Sequence, residues 1–199
     1  MADRDLEGML DENYDGIVDV SCIYPVIEYV RTHEDVEDEE VVFIKRLTKV
    51  CSHIIRRNKF NENDLKRIYG FNLTGAEKIR RIYEEKRRLV WASHFLGHAA
   101  DAAINLFKKG GKSEWCEKAY KCREDSSKLS EDDAYISFCY GFMGESAEAM
   151  FEITGKDEWK NEALRCYTLF LDYNRRNFDP RMEETVSRVK DEFSKLLSA

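Results

Sequence analysis

The sequence GKSEW at residues 111–115 returns as GKDEW at residues 155–159, an offset of 44 residues. The same offset aligns residues on both sides of the motif: Gly97 with Gly141, Asp101 with Glu145, Ala103 with Ala147, Phe107 with Phe151, Ala119 with Ala163 and Cys122 with Cys166. Each unit therefore contains a helix with small residues at a close crossing, a Gly-Lys turn, and a second helix that begins at Ser113 or Asp157. The repeat predicts two similar helical hairpins.

Helical periodicity extends well beyond the duplicated units. After Asp179-Pro180, a cap followed by proline at the first helical position, apolar residues recur at three- and four-residue spacing: Met182, Val186, Val189, Phe193 and Leu196. The chain of 199 residues contains only ten Gly and two Pro, and no segment alternates between apolar and polar residues as a strand would. We therefore predict an all-α fold of about seven to eight helices, arranged as a right-handed stack of hairpins or as a helical bundle.

The segment before the repeat contains two local helix signals. Residues 62–69 form a short helical pattern, with Asn61 as its N-cap and Gly70 as its stop. The capping-box sequence TGAE at residues 74–77 then predicts the start of a second helix. No helix breaker follows until residues 110–111, so this second helix would be unusually long. We therefore expect it to bend or break near residues 87–91.

The alternation of small and large residues over about residues 89–175 resembles tetratricopeptide-type helical hairpins. The units depart from that family in length, with 44 residues in place of about 34, and in lacking the usual closing proline. The resemblance implies a scaffold whose stacked first helices line a groove for a peptide or protein. It also implies a C-terminal helix that caps the stack. The alternative is an ordinary antiparallel bundle that contains one duplicated hairpin.

Charge divides the chain into segments of opposite sign. The net charge of −7 combines −12 over residues 1–43, +9 over residues 44–88 and −4 over residues 89–199. Such a division is typical of an internal ion-pair contact or of a basic face for an acidic partner. We predict an acidic flexible arm at residues 1–15, an N-terminal helical segment at 16–88 that is basic over 44–88, and the tetratricopeptide-like repeats with their capping helix at 89–199.

Several classes of protein are disfavoured by the sequence. No apolar run approaches the 18 or so residues that a membrane span needs, and the acidic N-terminus lacks the pattern of a secretory signal, so we expect a cytoplasmic protein that avoids membranes. The six cysteines form no C-x-x-C pair and are expected to be buried thiols. There is no phosphate-binding glycine loop, nucleophile elbow or H-E-x-x-H motif, so we predict no catalytic residue, metal site or cofactor.

The first helices of the two units supply the candidate binding residues. On the first of them, positions i, i+4 and i+7 share one helix face, and the second unit adds an aromatic and an acidic side chain. The predicted partner-binding residues are His94, His98, Asp101, Phe142 and Glu145. The leading hypothesis is a non-catalytic protein–protein interaction module that binds a peptide or helix in a groove between stacked helices. The sequence leaves the oligomeric state open, including a homodimer.

The basic segment supports a second hypothesis, a helix-turn-helix-like nucleic-acid-binding protein. Residues 63–69, the turn at 70–73 and the helix from Gly75 follow one another in the required order. The second helix would present basic side chains to phosphates or base edges: Lys78, Arg80, Arg81, Arg87 and Arg88. The pairs Glu77–Arg81 and Glu84–Arg88 have the i, i+4 spacing of a solvated helix face, which favours a plain charged surface or a contact with the acidic arm.

A helical metalloprotein is a third hypothesis. Because His94, His98 and Asp101 share one helix face, their side chains could meet one cation. In the second unit, however, Phe138 and Phe142 occupy the positions of the two histidines. This replacement favours a packing role for the histidines.

The spacing of Arg88 and His94 resembles the Arg-x(4–6)-His motif of HEPN-type ribonucleases. That family usually has a polar residue directly after the arginine, whereas Leu89 stands here. A HEPN-like ribonuclease centred on this pair therefore stays an alternative to the interaction module.

Overall fold

The structure is a computed structural model that describes residues 60–82, 86–177 and 179–198, without the side chains of residues 81–88. The described residues form six α-helices and no strand: α1 (Glu62–Ile82), α2 (Lys86–Gly110), α3 (Ser113–Leu129), α4 (Asp133–Thr154), α5 (Asp157–Arg176) and α6 (Glu183–Ser198). A 3₁₀ turn, Pro180–Met182, precedes α6. The all-α prediction is confirmed. The acidic arm and the predicted helices before residue 60 lie outside the described residues.

The helices form a stack in which each packs mainly against its neighbours in the chain. Side chains also join next-but-one helices, so that α1, α3 and α5 form one layer and α2, α4 and α6 the other. These cross-links are Tyr69 with Trp115, Ser93 with Tyr135, Tyr120 with Trp159 and Glu145 with Arg188. Contacts between neighbouring units are typical of helical repeats. The structure therefore supports a stack of helical hairpins.

The duplicated turn has the same backbone geometry in both units. Gly111 and Gly155 each have φ of +64°, in the left-handed region where a side chain is unfavourable. The N–H of Gly111 donates to the carbonyl of Phe107, and that of Gly155 to the carbonyl of Phe151, each at 2.7 Å. These bonds satisfy carbonyls at the ends of α2 and α4. The repeated glycine is therefore required by the left-handed backbone at each turn.

The duplicated tryptophans link helices of the same layer. Trp115 at the start of α3 meets Tyr69 of α1 edge to face, with ring centroids 5.3 Å apart. Trp159 at the start of α5 meets Tyr120 of α3 in the same way at 5.6 Å. Edge-to-face pairs of this kind contribute about 0.5–1.5 kcal/mol beyond the area that they bury. Each tryptophan thus fixes its hairpin on the preceding unit.

The predicted interruption of α1 is wrong. Helix α1 continues through Gly70 and through the capping-box sequence at residues 74–77. Buried apolar residues recur at helical spacing across this region and belong to the core that α1 shares with α2 and α3: Leu65, Ile68, Phe71, Ala76 and Ile79. Packing of this face outweighs the cost of the two interior glycines, Gly70 and Gly75, which is about 1 kcal/mol each.

The ends of α1 differ in how well they were predicted. Asn61 and Asp64 exchange side chain–backbone hydrogen bonds of 3.0 and 3.1 Å, which cap the helix as expected. The break expected near residues 87–91 is not found there, because α2 is continuous from Lys86 to Gly110; residues 83–85 lie outside the described residues. No described helix is long and apolar enough to cross a membrane.

Helix α6 places its predicted apolar stripe against the core. Val189 and Leu196 are buried, and Met182, Val186 and Phe193 are partly buried in the same cluster. This cluster also contains buried residues of α4 and α5: Ala147, Ala163, Tyr167 and Phe170. The stripe is thus confirmed as the core-facing side of α6 and of the 3₁₀ turn before it.

Replacing Gly144 with alanine should destabilise the protein. A Cβ at Gly144 would lie 2.3 Å from the ring of Tyr167, which is fully buried. We expect Gly144→Ala to lower the free energy of unfolding by about 1–3 kcal/mol, the usual effect of overpacking a core. Urea unfolding followed by circular dichroism measures the change, and an unchanged midpoint would contradict this packing.

Replacing Gly70 with alanine should have the opposite effect. Gly70 lies inside α1, and a Cβ there would meet no atom within 4 Å. Because alanine loses less backbone entropy in a helix, Gly70→Ala should raise the free energy of unfolding by about 0.5–1 kcal/mol. The same urea experiment tests it. A loss of stability would indicate that the helix ends at Gly70 after all.

Candidate functional site

A buried arginine lies where α2, α3 and α4 meet. Arg123 of α3 is 4% exposed. Its guanidinium donates to the carboxylate of Asp101 on α2, and it lies 5.5 Å from the ring centroid of Phe138 and 4.8 Å from that of Phe142, both on α4. Burial disfavours the charged form, but the neighbouring groups, Asp101 foremost, together outweigh this effect and raise the pKa of Arg123. The arginine therefore stays charged and connects three helices.

Gly97 of α2 makes room for this arginine. A Cβ at Gly97 would lie 2.9 Å from Nη1 of Arg123 and 2.6 Å from the hydroxyl of Tyr135. The repeat-related Gly141 has a different neighbour, since a Cβ there would lie 3.1 Å from the ring of Phe170. The same small residue thus admits a polar group in the first unit and an apolar ring in the second.

Next to Arg123, hydroxyl groups form a set of hydrogen bonds that links α4 and α3 to the first half of α2. The hydroxyl of Tyr135 on α4 donates to the carbonyl of Ser93 on α2 at 3.2 Å and lies 2.9 Å from Oγ of Ser126 on α3. Ser126 Oγ in turn donates to the Ser93 carbonyl at 2.6 Å. Burial raises the pKa of Tyr135, so its hydroxyl stays protonated at neutral pH. These bonds fix the first turn of α4 on α2 and α3.

Four of the five predicted partner-binding residues surround Arg123. Asp101 and Phe142 contact its guanidinium directly. The Nδ1 atom of His98 lies 3.7 Å from the carboxylate of Asp101, and the ring of His94 packs edge to face on Tyr135 with centroids 5.1 Å apart. The structure therefore brings these four side chains to one surface of α2 and α4.

The fifth predicted residue, Glu145, lies apart from Arg123. It forms an ion pair of 2.6 Å with Arg188 of α6. This pair connects α4 to the last helix of the same layer. Glu145 thus belongs to the α4–α6 contact.

Partly exposed rings form a continuous line on this surface, which we call the aromatic row: His94, Tyr135, Phe138 and Phe142. The successive ring centroids are 5.1, 6.3 and 4.6 Å apart. The three α4 residues share a face because they are three and four positions apart. The aromatic row is therefore an accessible apolar strip that rests on the buried Arg123.

Arg123 is the residue that sequence reasoning missed. It is a charged residue among buried small residues of α3: Cys116, Ala119, Cys122 and Ser126. Its repeat-related position holds Tyr167, which is also fully buried. A charge on an apolar helix face, aligned with a core aromatic, could have indicated a buried ion pair.

The helix-turn-helix prediction is wrong in its geometry. Residues 70–73 are helical, so they form no turn between two helices. The five basic residues predicted to share a recognition helix are divided between two helices, with Lys78, Arg80 and Arg81 on α1 and Arg87 and Arg88 on α2. The side chains of Arg81, Arg87 and Arg88 lie outside the described residues. Arg88 is also the arginine of the HEPN-like pair.

The metal-site hypothesis is wrong for the predicted residues. Within the described ranges, no three His, Cys, Asp or Glu side chains are arranged to hold a metal ion. Asp101 is engaged by the guanidinium of Arg123, whose positive charge opposes a cation at that carboxylate. The four described cysteines are free and buried, and burial raises the pKa of Cys116 and that of Cys122 to about 11. These two remain protonated thiols at neutral pH.

Comparison with known proteins gives no family assignment. No protein-family profile matches the chain, and no curated protein matches it. The designed helical repeat protein DHR64 shares 15% identity at a TM-score of 0.36, with 99% of this chain and 84% of that chain covered. The DHF58 filament shares 14% identity at 0.37, with 97% and 81% covered. TM-scores this low do not establish a shared fold, and no tetratricopeptide family is identified.

Removing the carboxylate of Asp101 should cost more stability than removing the arginine. Asp101→Ala leaves the buried guanidinium of Arg123 without its ion-pair partner, and we expect a loss of about 3–5 kcal/mol. Arg123→Met fills most of the space with an apolar chain and leaves Asp101, whose side chain is 17% exposed, in contact with water. Urea unfolding of both variants tests this order. Equal losses of stability in the two variants would contradict the expectation that Asp101→Ala leaves a buried, unpaired charge.

Proposed function

We propose that the protein is a non-catalytic interaction module, and that a peptide or helix of a protein partner docks on the surface of α2 and α4. The observation that carries this proposal is the aromatic row. Its rings are partly exposed, and aromatic side chains in such positions are the usual anchors of protein–protein contacts. A single strip of rings along two helices suits an elongated partner.

The rigidity of the surface supports the proposal. Phe138 and Phe142 lie against the guanidinium of Arg123, and the hydroxyl of Tyr135 is hydrogen-bonded to α2. Side chains already held in place lose little conformational entropy when a partner binds. Arg123 thus contributes to binding by positioning the rings.

The charge of α4 indicates the chemistry of the partner. Helix α4 contains four acidic residues and no Lys or Arg: Asp133, Glu145, Glu148 and Glu152. Arg188 neutralises Glu145, whereas Asp133 and Glu152 are exposed. A partner that combines apolar anchors with Lys or Arg side chains complements this helix.

Selection of peptides from a random phage-displayed library tests the proposal. Enriched peptides should pair aromatic or aliphatic residues with basic ones, and Phe138→Ala should weaken their binding at least about tenfold, as a hot-spot anchor does. Ile153→Ala is the matched control, because Ile153 lies on the same helix, is 46% exposed and is not part of the aromatic row. It should change affinity less than about twofold.

Each variant is first checked by circular dichroism, so that a loss of binding is not mistaken for unfolding. Enrichment of no peptide would overturn the proposed function. Peptides that bind folded Phe138→Ala as tightly as the unmodified protein would place binding elsewhere on the molecule.

A further inference from the structure

The chain itself contains a segment with the chemistry that the aromatic row requires of a partner. Residues 44–59, which lie outside the described residues, contain six Lys or Arg side chains and no Asp or Glu. Their apolar residues recur at three- and four-residue spacing, as on one face of a helix: Ile44, Leu47, Cys51, Ile54 and Ile55. The segment therefore combines apolar anchors with basic residues.

The aromatic row is acidic at its end near the start of α4. Three consecutive acidic residues precede the row there, and all three are exposed: Glu131, Asp132 and Asp133. The carboxylate of Asp132 accepts hydrogen bonds of 2.9 and 3.2 Å from the N–H groups of Ala134 and Tyr135, so it lies within one turn of the first α4 ring. The basic residues at positions 86–88 of α2 lie at least about 9 Å along that helix from His94. Charge complementarity at this end therefore favours a basic segment.

The position of Phe60 decides which copy of the chain can supply the segment. Phe60 directly follows the segment and is buried in the core shared by α1, α2 and α3. It precedes α1, at the end of the stack where α3 begins, whereas residues 131–133 follow the other end of α3, a helix of 17 residues that spans about 25 Å. Even when fully extended, residues 56–59 reach only about 14 Å from Phe60. Their basic side chains therefore fall short of residues 131–133 in the same copy, whereas those of a second copy are not restricted in this way.

We propose that residues 44–59 of a second copy of this chain dock on the aromatic row, so that the protein forms a homodimer in which each copy supplies one segment and one row. The dimer rests on the proposed function, because it names the partner of the same surface. Apolar residues of the segment lie on the rings, and its basic residues meet the acidic start of α4. Two equivalent contacts related by a two-fold axis close the dimer and strengthen each other.

Sedimentation equilibrium of the full chain measures the dimer, and fluorescence anisotropy measures binding of a labelled synthetic peptide of residues 44–59. The full chain should dimerise, and it should bind the peptide. Phe138→Ala should weaken both equilibria at least about tenfold, because it removes an anchor ring. Ile153→Ala, on the same helix but not part of the aromatic row, should change either one less than about twofold.

A double charge reversal tests the basic segment. Arg56→Glu combined with Arg57→Glu should weaken the dimer at least about tenfold, because like charges then face the acidic start of α4. The matched control is Lys108→Glu combined with Lys109→Glu, which reverses two adjacent, exposed basic residues at the end of α2 and should leave the dimer intact. Circular dichroism first checks that each variant is folded.

Mixing two folded variants identifies the copy that supplies the segment. The Phe138→Ala chain keeps its segment, and the Arg56→Glu, Arg57→Glu chain keeps its row, so a mixed dimer retains one of the two contacts. The mixture should therefore associate at concentrations above the dissociation constant of the peptide, where each variant alone stays monomeric. A mixture that stays monomeric would show that no second copy supplies the segment, and would overturn the proposal.

The peptide keeps the test decisive if a variant of the segment does not fold, because it is added to the unmodified protein. An unmodified chain that stays monomeric up to about 100 μM and does not bind the peptide would overturn the dimer. Library peptides that bind the same chain through Phe138 would then leave the proposed function in place. A dimer that persists in folded Phe138→Ala would also overturn the proposal, because the two copies would then meet elsewhere.

Discussion

The ion pair between Arg123 and Asp101 is the interaction on which the described surface depends. A guanidinium that is 4% exposed can remain charged only because a carboxylate and two aromatic rings replace its water. These groups come from α2 and α4, so satisfying one charge on α3 sets the positions of both helices. The apolar core alone would not specify their relative placement as closely, since hydrophobic contacts are not directional.

The two units of the repeat place different side chains at equivalent packing positions. Arg123 and Tyr167 occupy equivalent positions, and each gives its polar end to a carboxylate of the preceding helix, Asp101 for the arginine and Glu148 for the tyrosine. Equivalent positions of the shared hairpin therefore hold an ion pair in one unit and a hydrogen-bonded tyrosine in the other.

What the sequence could predict was mostly local. The left-handed turns at Gly111 and Gly155 and the apolar stripe of α6 follow from short-range rules. The stop signal at Gly70 and the start signal at Thr74 followed the same rules but were overridden by packing of α1 on α2. Arg123 could not be paired with Asp101 from sequence alone, because their contact depends on how close the helices approach at Gly97. Periodicity nevertheless predicted that His94, His98 and Asp101 share one face of α2, and the structure places that face beside Phe142 of α4.

The most direct test of the central claim is nuclear magnetic resonance of the Arg123 side chain in the full chain. A guanidinium held by Asp101 and covered by rings should give resolved, slowly exchanging Nη protons, with nuclear Overhauser contacts to the ring protons of Phe142. Averaged Nη resonances that exchange rapidly with water, without contacts to the ring, would show that the arginine is not the buried centre of this surface.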